Sequence, residues 1–288
     1  MLGKFQSVIG SLLAILLLSV LAACGSQDNA SKDQAASKNL ATNQTQSETN
    51  KNDSKENKEQ VDLTISAAAS LSDALNELKT GYEQDYPNVK LNFNFGASGA
   101  LQRQIEQGAP ADVFISASTS VLKSLEEQSL IKESSPLLEN DLVVVVPAKD
   151  GATIGQLEDL KGDAIMKLAV GIPDSVPAGE YTQEVLNNQN MWDELQSKIV
   201  QAKDVRQVLQ YVATGNADAG FVYKTDALST NNTTIAFTVD SKLHSPITYP
   251  IGLIAVTKHE EEARQFYDYL KTEPAIQLME KYGFRRAK

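Results

Sequence analysis

The chain is short of the side chains that most often act as reagents. It has one cysteine, two histidines and one tryptophan among 288 residues. A single cysteine forms neither an internal disulfide nor a cysteine-rich zinc site. With only His244 and His259 present, histidine-based catalysis and histidine-rich metal coordination have little material. Positive charge is scarce too: 26 Lys and Arg stand against 37 Asp and Glu, a net −11, and aromatics make up 6%. Phosphate-backbone and stacking contacts need a basic, aromatic-bearing surface, so a nucleic-acid partner is excluded. Binding proteins, carboxylate-based enzymes and scaffolds are the classes left, with length enough for one or two domains.

What is present begins with a targeting segment. Residues 1–23 hold one charged side chain, Lys4, and an apolar run over residues 8–23, the pattern of a secretory signal. The run is shorter than the roughly 20 residues an unkinked membrane-spanning helix requires. It ends in Leu21-Ala22-Ala23-Cys24-Gly25, which resembles the bacterial lipobox. That resemblance implies cleavage before Cys24, a diacylglycerol thioether on its sulfur, and lipid anchoring on the extracytoplasmic face of the cell membrane. An ordinary cleaved signal beside a chance cysteine is the alternative. The apolar residues of 25–60 are Ala30, Ala35, Ala36, Leu40 and Ala41, too few to bury a core, so residues 24–60 are expected to be a lipidated cysteine followed by a disordered tether. The tether's charges nearly balance, which leaves the whole net charge on residues 61–288.

Those residues alternate strand-like and helix-like patterns, the signature of βα units and a mainly parallel sheet. Val61, Leu63 and Ile65 alternate with polar residues; Leu71, Ala74, Leu75, Leu78 and Tyr82 then share a helical face. Val89, Leu91, Phe93 and Phe95 mark a second strand and Val113-Phe114-Ile115 a third. The run Leu142-Val143-Val144-Val145-Val146 fits a strand buried on both faces. Further strands are expected around residues 168–172, 198–200, 219–223 and 247–256, with helices over 178–189, 204–214 and 260–270. Seven or so parallel-type strands fit one large sheet or two lobes.

In open α/β sheets, ligands lie beyond the carboxyl ends of the strands, against helix N-termini that attract anions. Four junctions here carry small or hydroxyl residues. Ala67-Ala68-Ala69-Ser70-Leu71-Ser72-Asp73 spaces Ser70 and Asp73 as a capping box, so Ser70 caps a helix or donates to a ligand. Phe95-Gly96-Ala97-Ser98-Gly99 is a strand-to-helix turn with a hydroxyl. Val176-Pro177-Ala178-Gly179 pre-sets a first helical turn and leaves its amides uncovered. Asp204-Val205-Arg206 opens a helix for which Asp204 is the candidate cap.

Together with Gln104-Ile105-Glu106-Gln107-Gly108-Ala109-Pro110-Ala111-Asp112-Val113-Phe114-Ile115-Ser116-Ala117, Phe266-Tyr267-Asp268-Tyr269-Leu270-Lys271 and Tyr282-Gly283-Phe284, these stretches resemble, in order along 61–288, the molybdate-binding proteins of bacterial ABC uptake systems. The resemblance implies a type II periplasmic-binding-protein fold, two α/β lobes joined by crossing hinge strands. Lobe one would comprise residues 61–140 plus 247–288 and lobe two residues 141–246. Carried onto this chain, the molybdate ligands, and thus the contacts to molybdenum as its oxyanion, would be Ser70, Ser98, Ala178, Val205 and Tyr223. Gly96 and Gly99 depart from the family's commoner serine-rich turn. The implied partners are an ABC permease with its ATPase and, through Cys24, the membrane; the protein would be a monomer without a cofactor and without catalysis.

Such residue types suit a tetrahedral dianion, which offers only acceptors. Hydroxyls, a phenol and helix N-terminal amides supply donors without the cost of burying a lysine or arginine. Tungstate and sulfate share that chemistry and remain alternatives, whereas hydrogen phosphate brings a proton that a donor-only pocket leaves unpaired. Asp204, pointed into the cleft, would accept that proton. The rival class is a secreted serine hydrolase using Ser98 with His244 or His259, but glycine is missing two residues after the serine. An adhesin or scaffold is disfavoured by the βα order and the lack of repeats. Glu260-Glu261-Glu262 reads as a dipole-favoured helix start, and Arg103 and Arg206 as surface or salt-bridged residues.

Overall fold

The computed structural model describes residues 59–288. The signal segment, Cys24 and the tether up to residue 58 lie outside the described residues. The first part of the chain runs β1 (Val61–Ala68), α1 (Ser72–Asp85), β2 (Val89–Gly96), α2 (Ser98–Glu106), β3 (Val113–Ile115), α3 (Thr119–Glu127) and β4 (Ile131–Glu139). It continues through β5 (Leu142–Pro147), β6 (Leu168–Gly171), α4 (Pro177–Asn188), α5 (Trp192–Leu195), β7 (Ile199–Ala202), α6 (Val205–Ala213), β8 (Ala219–Tyr223), α7 (Lys224–Leu228) and β9 (Thr233–Thr238). The last part is β10 (Thr248–Ile254), α8 (Glu260–Leu270), α9 (Glu273–Lys281) and β11 (Arg285–Arg286).

Two sheets result. One has six strands in the order β11-β4-β10-β3-β1-β2, the other five in the order β7-β6-β8-β5-β9. The chain leaves the first sheet through Asn140 and Asp141 and returns to it at Thr248. Each sheet keeps a parallel core: β2-β1-β3 in the first, β7-β6-β8 in the second. Strand order reverses about those cores, so the carboxyl ends of β1, β2, β6 and β8 open toward helix starts.

The expectation of a mainly parallel sheet needs correction. β10 pairs antiparallel with β3 and β4, and β5 pairs antiparallel with β8 and β9. The apolar run of β5 is buried throughout, and each such side chain contributes about 1.5–3 kcal/mol. Such a run reports two-sided burial and is silent on strand direction. β4 has no apolar alternation at all; its sequence IKESSPLLE pairs across a register shift that sets Pro136 opposite Pro250. Neither proline has an N–H to offer, and the irregularity accommodates both.

Candidate functional site

Five helix or turn starts and strand ends converge on one cavity. Its lining includes Ser70, Ser98, Ala178, Val205 and Tyr223, with hydrocarbon walls from Ala68, Ala97, Ala117, Val176 and Pro177. All five residues singled out from the sequence are therefore brought together, and each is at most 4% exposed. No side chain on that lining carries a charge.

Ser98 is the first residue of α2, and its Oγ accepts the Ala117 N–H at 2.9 Å. Its own hydrogen is thereby left to point elsewhere. Ser70 does not form the capping box expected with Asp73. A 3-10 turn over Ala69–Leu71 intervenes, Leu71 becomes the α1 N-cap, and the Ser70 hydroxyl meets the Tyr249 hydroxyl at 2.8 Å. Asp73 instead pairs with Arg206 at 2.7 Å. Asp204 is the cap of α6, accepting the Gln207 N–H at 2.8 Å. That contact uses its carboxylate to hold the helix start and so to fix Val205.

Ala178 sits in the first turn of α4, where backbone N–H groups lack intrahelical acceptors. The start of this helix presses on the end of β6: a Cβ on Gly179 would stand 2.1 Å from the Gly171 carbonyl oxygen. Only glycine permits that approach. The Tyr223 hydroxyl closes the set. It is buried and has no hydrogen-bond partner among the described residues, and burial pushes its pKa well above the ordinary phenol value. A phenol that keeps its proton is a donor awaiting an acceptor.

Contacts between segments that follow strands of the two sheets flank the cavity. The Gly99 N–H donates to the Ser175 carbonyl at 3.0 Å, and Tyr181 Oη donates to the Ala117 carbonyl at 3.4 Å. Arg206 reaches Asp73 and the Ser70 carbonyl from the far side. Its Nε lies 2.7 Å from Asp226 Oδ1 without the alignment of a hydrogen bond. Asp226 is fully buried, and burial raises its pKa to about 7 against the opposing pull of Arg206.

Sequence reasoning missed Tyr249, Asn140 and Asp226. Tyr249 packs edge-on against Tyr223, with ring centroids 5.6 Å apart. Asn140 Nδ2 donates to the Tyr249 hydroxyl at 3.3 Å and to Thr225 Oγ1 at 2.9 Å. Neither histidine hydrogen-bonds Ser98: His244 Nδ1 meets the Ser245 carbonyl, and His259 precedes α8. The acidic triplet opens α8 as expected, with Glu260 beside Lys132. Among the described residues no acidic, histidine or cysteine cluster suits a metal ion, and no helix is long and apolar enough to cross a membrane.

A family model for bacterial extracellular solute-binding proteins matches residues 63–285. The chain is 46% identical over 233 residues to YvgL of Bacillus subtilis, provisionally named an ABC transporter substrate-binding lipoprotein; the match covers 80% of this chain and 89% of that protein. It is 38% identical over 232 residues to the molybdate-binding protein ModA of Haemophilus influenzae, covering 77% of this chain and 89% of that one. Among solved structures, the periplasmic molybdate-binding protein of Azotobacter vinelandii superposes with a TM-score of 0.72 at 24% identity, over 78% of this chain and 100% of that one.

Proposed function

Because the chain belongs to the bacterial extracellular solute-binding proteins, and within them to the ModA-like substrate-binding proteins of ABC transport, we propose that it binds molybdate in the cleft between its lobes. The observation that carries this reading is the cavity itself, lined by hydroxyls and helix-start amides and by no charged side chain. Ser70, Ser98 and Tyr223 would donate through side chains, Ala178 and Val205 through backbone N–H groups. Four acceptor oxygens and two negative charges would be met by oriented neutral dipoles, which act locally and are little affected by distant surface charge. A net charge of −11 is then no obstacle.

Lobe one would comprise residues 61–140 plus 247–288 and lobe two residues 141–246, hinged where the chain crosses between sheets. Ligand bound to both lobes would favour the closed arrangement. The protein would hand molybdate to a membrane permease and its ATPase while held as a monomer at the extracytoplasmic face through lipid on Cys24. Two measurements test this. Calorimetry on the full chain should show molybdate binding that is lost when Ser70→Ala and Ser98→Ala are combined; an affinity unchanged in that double variant contradicts the site. Cys24→Ala should release the chain from the membrane fraction, and retention there contradicts the anchor.

A further inference from the structure

A serine hydroxyl is ambivalent, able to donate its one hydrogen or to accept another, so a ring of serines does not by itself select a fully deprotonated anion. The surroundings of Ser70 remove that ambivalence. We infer that Asn140 and Tyr249 are positioning residues that commit the Ser70 hydroxyl to donate into the cleft. This rests on the proposal that the cleft holds an oxyanion.

Hydrogen counting carries the inference. The Asp141 N–H donates to Asn140 Oδ1 at 2.9 Å, which fixes the side-chain amide and leaves Nδ2 facing Thr225 Oγ1 and the Tyr249 hydroxyl. An amide nitrogen only donates, so the Tyr249 oxygen accepts from it. The hydrogen of Tyr249 then has one remaining partner, Ser70 Oγ at 2.8 Å. Were the contact reversed, with Ser70 donating to Tyr249, the tyrosine hydrogen would be buried without an acceptor, at a cost that decides the direction. Ser70 therefore receives from Tyr249 and its own hydrogen faces the cavity it lines. Tyr249 is fully buried, and burial holds its phenol well above the ordinary range, so it stays a donor.

Ser98 is polarised the same way by a shorter route, since a backbone N–H, Ala117, occupies its oxygen. The difference is that backbone cannot change direction, whereas the relay through Asn140 and Tyr249 depends on two side chains at the crossing between lobes. Its consequence is specificity. Molybdate and sulfate bring only acceptors and satisfy Ser70. A phosphate O–H offered to Ser70 would strand the serine hydrogen, and the relay gives that hydrogen no second outlet.

The test is calorimetry on the full chain at pH 7 with sodium molybdate, sulfate and phosphate as separate titrants, competing phosphate against molybdate where it is weak. Tyr249→Phe removes the donor to Ser70, whose oxygen can then accept. Molybdate and sulfate affinities should each fall roughly fivefold or more, while phosphate stays level or tightens, so the molybdate-to-phosphate preference shrinks by at least that factor. Asn140→Asp replaces the donor by an acceptor, turns Tyr249 around and draws the Ser70 hydrogen away from the cleft; it should cost molybdate more than Tyr249→Phe does. It also serves as the second variant should Tyr249→Phe fail to fold. An equal loss for all three anions assigns Tyr249 to packing alone and overturns the relay. A wild-type chain that binds none of the three overturns the oxyanion reading beneath it, whereas wild-type binding with unchanged preferences in both variants overturns the relay only.

Discussion

Arg206, next in sequence to the cavity-lining Val205, crosses the cleft to Asp73 at 2.7 Å. On its other side the same guanidinium faces the fully buried Asp226. The two carboxylates differ in what they cost when uncovered. The Asp73 side chain is 45% exposed, and pairs of that kind are worth under about 1 kcal/mol. At pH 9, two units above its titration, the Asp226 carboxylate is charged, and stranding it costs up to about 3 kcal/mol before it takes up a proton instead. At that pH Asp73→Asn should therefore change unfolding free energy little and Arg206→Ala strongly, with Asp226→Asn recovering most of the Arg206→Ala loss. Denaturant titrations of the three variants and the double variant check this; equal effects of Asp73→Asn and Arg206→Ala would contradict it.

Asp226 also gives a pH dependence. Its carboxyl is raised by burial from 3.8 to about 7, so between those values the native state holds a proton that the unfolded chain has released. Its contribution to stability is present in full at low pH and is lost as pH rises through about 7, with a slope of at most about 1.4 kcal/mol per pH unit. Stability measured from pH 4 to 8 should fall more steeply in the wild type than in Asp226→Asn. Parallel curves would remove Asp226 as the source.

For the ligand, single removals of donors should be graded. A hydrogen bond to a charged group is worth about 1.5–3 kcal/mol, so Ser98→Ala alone should weaken molybdate by roughly 10- to 150-fold. Ser70→Ala should fall in the same range. Calorimetry that finds either substitution silent would take that residue out of the ligand set.

Tyr223 tests the donor role directly. Its buried hydroxyl has no hydrogen-bond partner among the described residues, and a hydrogen bond to a charged ligand is worth about 1.5–3 kcal/mol. Tyr223→Phe should reduce the rise in melting temperature that molybdate produces. A variant stabilised by molybdate as much as wild type contradicts a donor role.

Much of this site was legible because its parts are local. A strand followed by small residues and a helix start can be read from a few consecutive letters, and four such junctions meet at one cavity once the strands are laid side by side, while Tyr223, which joins them there, was indicated only by the family resemblance. The helix expected over 260–270 is α8. What escaped depends on distance along the chain. Ser70 and Tyr249 are 179 positions apart, and nothing near Ser70 announces that its hydroxyl will leave the helix it precedes. Asp226, inside Lys224-Thr225-Asp226-Ala227-Leu228, looks like any solvated helical acid until the packing of α6 buries it. The direction of β5 was likewise hidden, since burial on both faces and antiparallel neighbours leave the same valine run. Net charge misled in a different way: −11 argues against nucleic acid, and taken alone it argues equally against a small anion that neutral dipoles can hold.

The central claim is tested most directly by the melting temperature of the full chain with and without molybdate, tungstate, sulfate and phosphate at equal concentration. The account predicts a large rise with molybdate and little or none with phosphate, because a ligand that binds only the folded state stabilises it by an amount that grows with the logarithm of its concentration over its dissociation constant. A rise with phosphate and none with molybdate would contradict it.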